Sequence, residues 1–305
     1  MKARAELVAE RGPAGELRLP VQRSQAPLVL RRTADAVYLV SGAAGPLGGD
    51  QLELRIEVRA GARLRLRTVA ATVALPGRYG QESRLTVTAT VGPGARLEYL
   101  PEPLVAADAA RHRTEISVRL AEDATLLLRD EVLLGRHGER GGACRTRLAV
   151  DRDSTSGWRP LLRHELDVDG ADPAAGGPAV LAGHRAAGTL LTVEPGLPDV
   201  TDVTGGVRGV RWTREAGQTN EVSGTGEASR AEVAIGAEEA SGAEVASGAE
   251  EGREEDDAWV AVMPLAGPGV LITALAHDTR TLRRRLCDAP GFDHPVLSVL
   301  AGGSL

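Results

Sequence analysis

The sequence predicts an all-β protein, a helical stack (β-solenoid-like) of repeated two-strand units with a short C-terminal helix. Two observations carry this reading. Apolar residues recur with a period of two over long stretches, and one strand–turn–strand pattern is written three times. A period of two sends alternate side chains to opposite faces of a strand, one buried and one wet. One unit alone cannot cover its apolar face, so neighbouring units must stack. A β-sandwich with regularly spaced hairpins is the competing arrangement for the same pattern.

In the first unit, Leu52, Leu54, Ile56 and Val58 alternate with Glu53, Arg55, Glu57 and Arg59. After a turn at Gly61-Ala62, Leu64 and Leu66 alternate with Arg63, Arg65 and Arg67. Ala, Leu and Arg are good helix formers, but the spacing overrides composition. The second unit sets Leu85, Val87, Ala89 and Val91 against Arg84, Thr86, Thr88 and Thr90, then turns at Gly94 into Leu97 and Tyr99. The third sets Ile116, Val118 and Leu120 against Glu115, Ser117 and Arg119, turns through Ala121 to Ala124, and continues with Leu126 and Leu128. Taking Leu52, Leu85 and Ile116 as equivalent gives intervals of 33 and 31 residues. Glycine at the turn permits positive φ and lets two strands meet closely. The recurring G-A-x-L or D-A-x-L frame predicts that Leu64, Leu97 and Leu126 stack in one core. Arg63, Arg96 and Thr125 then take the opposite face.

Near the C-terminus, AWVAVMPLAGPGVLITALAHD holds two apolar runs around Gly267-Pro268-Gly269 and predicts another hairpin. TRTLRRRLCDA follows, with Leu282 and Leu286 at i,i+4 and Thr279 or Thr281 as N-cap, which predicts a short amphipathic helix. Arg283, Arg284 and Arg285 form its solvated face or meet an acidic partner.

The 305 residues are 42% apolar but only 2% aromatic, so the core must be Leu, Val, Ile and Ala. Cys144 and Cys287 have no C-x-x-C spacing, which fits buried thiols in a reducing compartment. The N-terminal stretch has no apolar run of signal-peptide length, and no segment approaches the roughly 18 apolar residues of a membrane span. A soluble cytoplasmic protein is expected. The net charge of -6 is local in origin. Thirteen acidic residues and three arginines lie between Thr213 and Asp257, where a hexapeptide motif repeats from Gly236, Gly242 and Gly248. With almost no large apolar side chain, this stretch cannot offset its ordering entropy. It reads as a disordered acidic insertion in a loop of one domain spanning residues 1–305, flanked by strand-like Val210-Arg211-Trp212 and Trp259 to Val262.

Catalytic motifs are lacking. The six histidines are scattered, and no Walker loop, G-x-S-x-G or H-E-x-x-H appears. Asp130-Glu131 are neighbours on a strand, so they point to opposite faces and cannot share a proton. His137 reads as a surface-loop residue and Asp108 as a turn former or N-cap. Basic strands such as RLRLRTV invite a nucleic-acid reading, but aromatics for base stacking are nearly absent, so a solvated mixed-charge face is the better account.

The chain resembles the urease accessory protein UreD (UreH) family. The resemblance lies in APLVLRR from Ala26, VYLVSGAAGPLGGDQL from Val37, GARLRLRTVAATVALPG from Gly61 and the long stretch from Gly94 to Gly141. Within these, Gly48-Gly49-Asp50 match the end of a Gly-rich loop. Gly94 through Pro101 match G-A-x-L-E-(aromatic)-L-P. Glu131, Gly135 and Arg136 match an E-x-x-x-x-G-R element. The family often has a polar residue where this chain has Val73, and usually Trp where it has Tyr99. The resemblance implies a helical stack of strands and a non-enzymatic scaffold for nickel insertion into apo-urease. It implies as partners a UreF-like helical accessory protein, a UreG-like GTPase and urease itself, with nickel at most in transit and no stably bound cofactor. Gly48, Gly49, Asp50, Glu131, Gly135 and Arg136 are the candidate partner-binding or structural residues. As structural residues, the glycines would serve special φ, Asp50 would cap a turn and Arg136 would pair with Glu131. The rival class is a carbohydrate-active lyase or hydrolase on a β-solenoid, against which the sparse, unclustered aromatics argue.

Overall fold

The computed structural model describes residues 1–197 and 259–288. The acidic stretch Thr213–Asp257 lies outside them, as does Val210-Arg211-Trp212. The N-terminal strands are β1 (Lys2–Arg11), β2 (Leu17–Arg23), β3 (Leu28–Arg32) and β4 (Val37–Ser41). Next come β5 (Gln51–Val58), β6 (Arg63–Thr68), β7 (Thr72–Ala74), β8 (Ser83–Val91), β9 (Arg96–Leu100) and β10 (Leu104–Ala106). The chain goes on through β11 (Arg111–Leu120), β12 (Thr125–Leu134), β13 (Ala143–Arg152), β14 (Arg159–Asp169) and β15 (Ala186–Val193). It ends in β16 (Trp259–Pro264), β17 (Gly269–Ala276) and helix α1 (Thr279–Cys287).

These strands form two sheets. The first runs β14-β13-β11-β8-β5-β1-β2, with β1, β5, β8, β11 and β13 parallel and an antiparallel strand at each end. The second runs β16-β17-β15-β12-β9-β6-β4-β3, with β4, β6, β9 and β12 parallel and β7 and β10 alongside. Parallel pairing between successive units makes a β-solenoid of about four turns. A sandwich of hairpins would pair neighbours in sequence antiparallel instead.

This also explains why Gly-Ala-Arg-Leu is written twice. Strands β5 and β6 belong to different sheets, so the Gly61 turn is not a hairpin; it carries the chain from one sheet to the other. Each strand's ladder partner is its counterpart in the next coil, as Leu52↔Leu85 and Leu64↔Leu97↔Leu126 show. The turns stack too. Gly61 N donates to Pro93 O at 2.8 Å, Arg96 N to Ala62 O at 2.9 Å and Thr125 N to Ala95 O at 2.9 Å. Gly61 and Gly94 hold φ of 66° and 60°, a region costly for a residue with Cβ. Ala62, Ala95 and Ala124 are buried in the turns, where a larger side chain would not fit so tight a stack. In the third copy Asp123 stands in the glycine's place and accepts a hydrogen bond from Gly94 N at 2.9 Å.

Leu64, Leu97 and Leu126 lie in one buried cluster, with Arg63, Arg96 and Thr125 in register on the other face. The third repeat is shifted from its expected alignment. Leu85 pairs with Thr114, and Ile116 pairs with Val87, so the second interval is shorter by two residues. A slip of two keeps every side chain on its face, so alternation alone could not detect it.

The C-terminal hairpin is present as antiparallel β16 and β17. Helix α1 packs Leu282 and Leu286 against Leu127, Leu190 and Ile272 on the outer face of the second sheet. Full burial of a leucine contributes roughly 1.5–3 kcal/mol. The helix N-cap is Asp278, not Thr279 or Thr281; its carboxylate accepts from Arg280 N at 2.8 Å and Thr281 N at 2.9 Å. Asp278 has the extended backbone a cap needs, while Thr279 already begins the helix. Cys144 and Cys287 are both buried and free, and burial pushes the Cys144 thiol up to about 12. Among the described residues no helix is long and apolar enough to cross a membrane.

Candidate functional site

At the end of the coils opposite the Gly-Ala-x-Leu turns, the second sheet is interrupted. Strand β9 pairs with β12 up to Tyr99↔Leu128, and pairing resumes at Leu104↔Val132 on β10. Between them lie Pro101-Glu102-Pro103. Proline cannot donate to a ladder, so the chain detaches there and leaves Arg129, Asp130 and Glu131 of β12 with no partner in the ladder register on that side. Side chains fill the break: Arg129 Nη2 donates to Pro101 O at 3.0 Å, and Glu102 N donates to Thr68 Oγ1 at 2.8 Å.

The break opens a cavity of about 220 Å³ between the sheets, whose lining includes Tyr99, Glu102, His112, Thr114, Asp130 and Glu131. Asp130 faces inward. Burial raises its carboxyl to about 6, the Thr146 hydroxyl pulls the other way, and the Glu131 charge raises it further. His112 is 2% exposed, and burial lowers it to about 4, so the ring is neutral at pH 7. Its Nδ1 lies 2.8 Å from Ser83 Oγ and its Nε2 3.2 Å from Thr114 Oγ1. Ser83 already donates to Arg111 O at 3.3 Å. A ring protonated at Nδ1 therefore donates to Ser83 and accepts from Thr114, which satisfies all three groups. A serine activated by a base needs the opposite polarity, with Nδ1 accepting from Ser83 in place of the bond to Arg111 O.

Glu131 faces outward under the helix. Its carboxylate, fully buried, lies 2.6 Å from Arg283 Nη2 and 3.4 Å from Arg129 Nε. Arg283 also reaches Glu102 at 3.0 Å, and Arg129 reaches it at 3.5 Å. Burial opposes the Arg283 charge, but hydrogen bonds and attraction from Glu131 and Glu102 outweigh it and raise the guanidinium's affinity for its proton. Burial lowers that of Arg129. The four side chains tie α1 to the break in the sheet. Arg283 is thus not part of a solvated face, although Arg284 is exposed. Asp130 and Glu131 do point to opposite faces, as the strand period requires.

The remaining candidate residues have structural partners. A Cβ on Gly48 would come within 2.5 Å of Gly77 N, so two backbone segments meet there. Gly49 has φ 91° and donates to Glu82 O at 3.1 Å. Asp50 is buried and accepts from Leu47 N at 2.9 Å, which closes the turn it was expected to cap, and it also pairs with the Met1 ammonium. Gly135 has φ 73°, with Glu139 O where a Cβ would stand. Arg136 is exposed and pairs with Glu139 through Nε at 2.9 Å, not with Glu131, which is claimed by Arg129 and Arg283. The Arg136 hydrogen bonds hold the Glu139 carboxyl down at about 2. Arg185 fastens this loop by donating to the carbonyls of Leu134 at 2.8 Å and Arg136 at 2.9 Å. Of the six residues, only Glu131 lines the cavity; Gly45 and Pro46, just before Gly48, line it too. His137 is exposed, as read, and Asp108 lies in a turn. Sequence reasoning passed over Glu102, His112 and Arg129, and read Asp130 only as one half of a carboxylate couple that points apart. The two prolines flanking Glu102 were the available signal that a ladder breaks there.

Among the described residues no group of three or more His, Cys, Asp or Glu side chains is placed to hold a metal ion. A family model described as UreD urease accessory protein matches residues 1–290. A urease accessory protein UreD from Frankia alni is 41% identical over 94% of this chain and 91% of its own length. One from Parafrankia is 39% identical over 95% and 88%, and a UreD from Streptomyces griseus is 38% identical over 95% of both. The match runs through both sheets, the broken ladder and the helix that covers it, and the chain belongs to the UreD urease accessory protein family.

Proposed function

We propose that this protein is a non-enzymatic scaffold required for nickel insertion into apo-urease. In this reading it recruits a UreF-like helical accessory protein, through it a UreG-like GTPase, and holds the assembly on urease in the cytoplasm. The observation that carries the proposal is the family match over residues 1–290, together with relatives named as urease accessory proteins. The geometry agrees with a scaffold. The Ser83 and His112 side chains can satisfy each other together with Thr114 and Arg111 O, and wide sheet faces offer binding area. Nickel is cargo here and not a resident cofactor, and none of this chain's residues is assigned as its ligand. A carbohydrate-active enzyme on this fold would set aromatics along an exposed strand face to hold sugar rings. The exposed aromatics Tyr79 and Trp158 stand in loops instead.

The test is deletion of the gene in a urease-positive host, with nickel and activity measured in the purified urease. Loss of nickel that returns on complementation is expected. Urease loaded normally in the deletion strain would overturn the proposal.

A further inference from the structure

Among the described residues, the outer face of the second sheet is covered by α1 where the helix packs, over β12, β15, β16 and β17. Beyond it, β3, β6 and β9 turn arginines outward in register, with Tyr38 of β4 between them. Arg63 lies directly beside Arg96. One row further on, Arg65 lies beside Glu98. The next row runs Arg31, Tyr38, Arg67 and Leu100 across four strands. Five arginines thus stand against Glu98 and against Asp35 in the turn between β3 and β4, whose carboxylate accepts from Thr33 Oγ1 at 2.7 Å and feels the charges of Arg65 and Arg67. Burial alone would raise Glu98, but hydrogen bonds from Arg65 at 2.6 Å and Arg96 at 2.9 Å hold its carboxyl below the usual range, so it is committed to those two. Among the described residues no carboxylate lies within ion-pair distance of Arg31, Arg63 or Arg67. Arg67 is half-buried, and its Nε is sealed from solvent with no hydrogen-bond partner. Like charges opposite one another on adjacent strands destabilise a sheet, and a buried donor without an acceptor adds to the cost.

We propose that this face, centred on Arg63 and Arg67 of β6, is a docking surface for an acidic segment of another protein. Strands lie about 4.8 Å apart and alternate residues about 6.7 Å apart along a strand, so the guanidinium groups rise from a regular lattice. Carboxylates at alternate positions of an extended segment, or four apart on a helix, repeat at about 6–7 Å and match it. The two carboxylates on the face decide between acidic partners. A protein segment can set a lysine or a backbone N–H against Asp35 and Glu98, whereas a nucleic-acid backbone presents only phosphates there. Tyr38 is the single aromatic in these rows, too few to stack bases. The inference stands on this geometry and does not depend on the urease role.

The experiment measures binding of a fluorescent polyglutamate peptide to the full-length protein at low and high salt. Arg63→Glu/Arg67→Glu is compared with a control of equal charge change on the first sheet, Arg84→Glu/Arg111→Glu. Salt-sensitive binding that falls by about tenfold or more in the first variant and within about twofold of wild type in the control is expected. Melting temperatures at or above wild type would show that the first variant is folded. Absence of binding, or equal loss in both variants, would overturn the proposal. So would single-stranded RNA binding more tightly than polyglutamate and being lost with the same two arginines.

Discussion

On the outer face of the first sheet, Arg4, Arg55, Arg59, Arg113, Arg145 and Arg147 each lie within 3.5 Å of a carboxylate. Even Arg84, which has no such partner, shares a shallow groove with Glu53 and Glu82. On the second sheet the outer face divides in two: one half lies under α1 around a buried ionic cluster, the other leaves Arg31, Arg63 and Arg67 without an ion-pair partner among the described residues. Inside, the two sheets share one leucine-rich core. Alternation in a strand therefore fixes which side chains are wet, but not what the wet face is for. LELRIEVR and RLRLRT look alike as patterns, yet the first makes a self-neutralised surface, while in the second Arg65 pairs with Glu98 and Arg63 and Arg67 have no ion-pair partner among the described residues. The mixed-charge reading holds for the first sheet and only for the Arg65 row of β6.

The covered half should break hardest. Glu131→Ala removes a fully buried carboxylate and leaves Arg129 buried with only the more distant Glu102. About 3–5 kcal/mol of stability should be lost in chemical denaturation. A cost below 1 kcal/mol would mean the cluster is wet and the helix loosely held. Leu97→Ala, in the shared core, should cost about 2–5 kcal/mol, with Arg96→Ala, one position earlier, far less. Equal effects at the two positions would contradict the register of β6, β9 and β12.

How much of this was legible follows from the same contrast. The stacked leucines and the turn glycines were readable, because a period of two and a repeated turn are local signals. The alignment of Ile116 was not, because a slip of two leaves every side chain on its face. The ionic cluster was not either: Arg283 and Glu131 are 152 positions apart, and only the fold brings them together. Asp130-Glu131 were recognised as pointing apart but not as the two sides of a ladder break, since that requires knowing that Pro101 and Pro103 lie beside them. The expected Arg136–Glu131 pair failed because Arg136 lies in the turn beyond β12, where Glu139 reaches it, while Glu131 points under α1 to Arg283.

A pH series sharpens the interior side of the comparison. Asp130 has a folded value near 6 against an ordinary 3.8, so its protonated form favours folding. That contribution is complete below about pH 3.8 and is lost as pH rises through 6. His112, lowered from 6.5 to about 4, acts oppositely: its contribution is complete above 6.5 and is lost as pH falls through 4. The two slopes nearly cancel between pH 4 and 6.5. Asp130→Asn removes one of them. The stability of this variant relative to wild type should rise by up to about 3 kcal/mol between pH 4 and pH 7. A flat difference would show that Asp130 ionises as an ordinary surface carboxylate.

The smallest effect carries the most information about the two outer faces. Arg55 on the first sheet lies beside Glu6 and pairs with Glu53, so Arg55→Ala should lose about 0.2–1 kcal/mol, the usual range for an exposed ion pair. Arg63 on the second sheet lies beside Arg96 and has no carboxylate partner among the described residues. Arg63→Ala removes repulsion and should leave stability unchanged or raise it by about 0.2–0.5 kcal/mol. The sign, rather than the size, is the test. Both shifts should shrink toward zero near 1 M salt, where the screening length falls to about 3 Å. If Arg63→Ala destabilises at low salt as Arg55→Ala does, β6 has a counter-charge of its own, and its arginines are already spoken for.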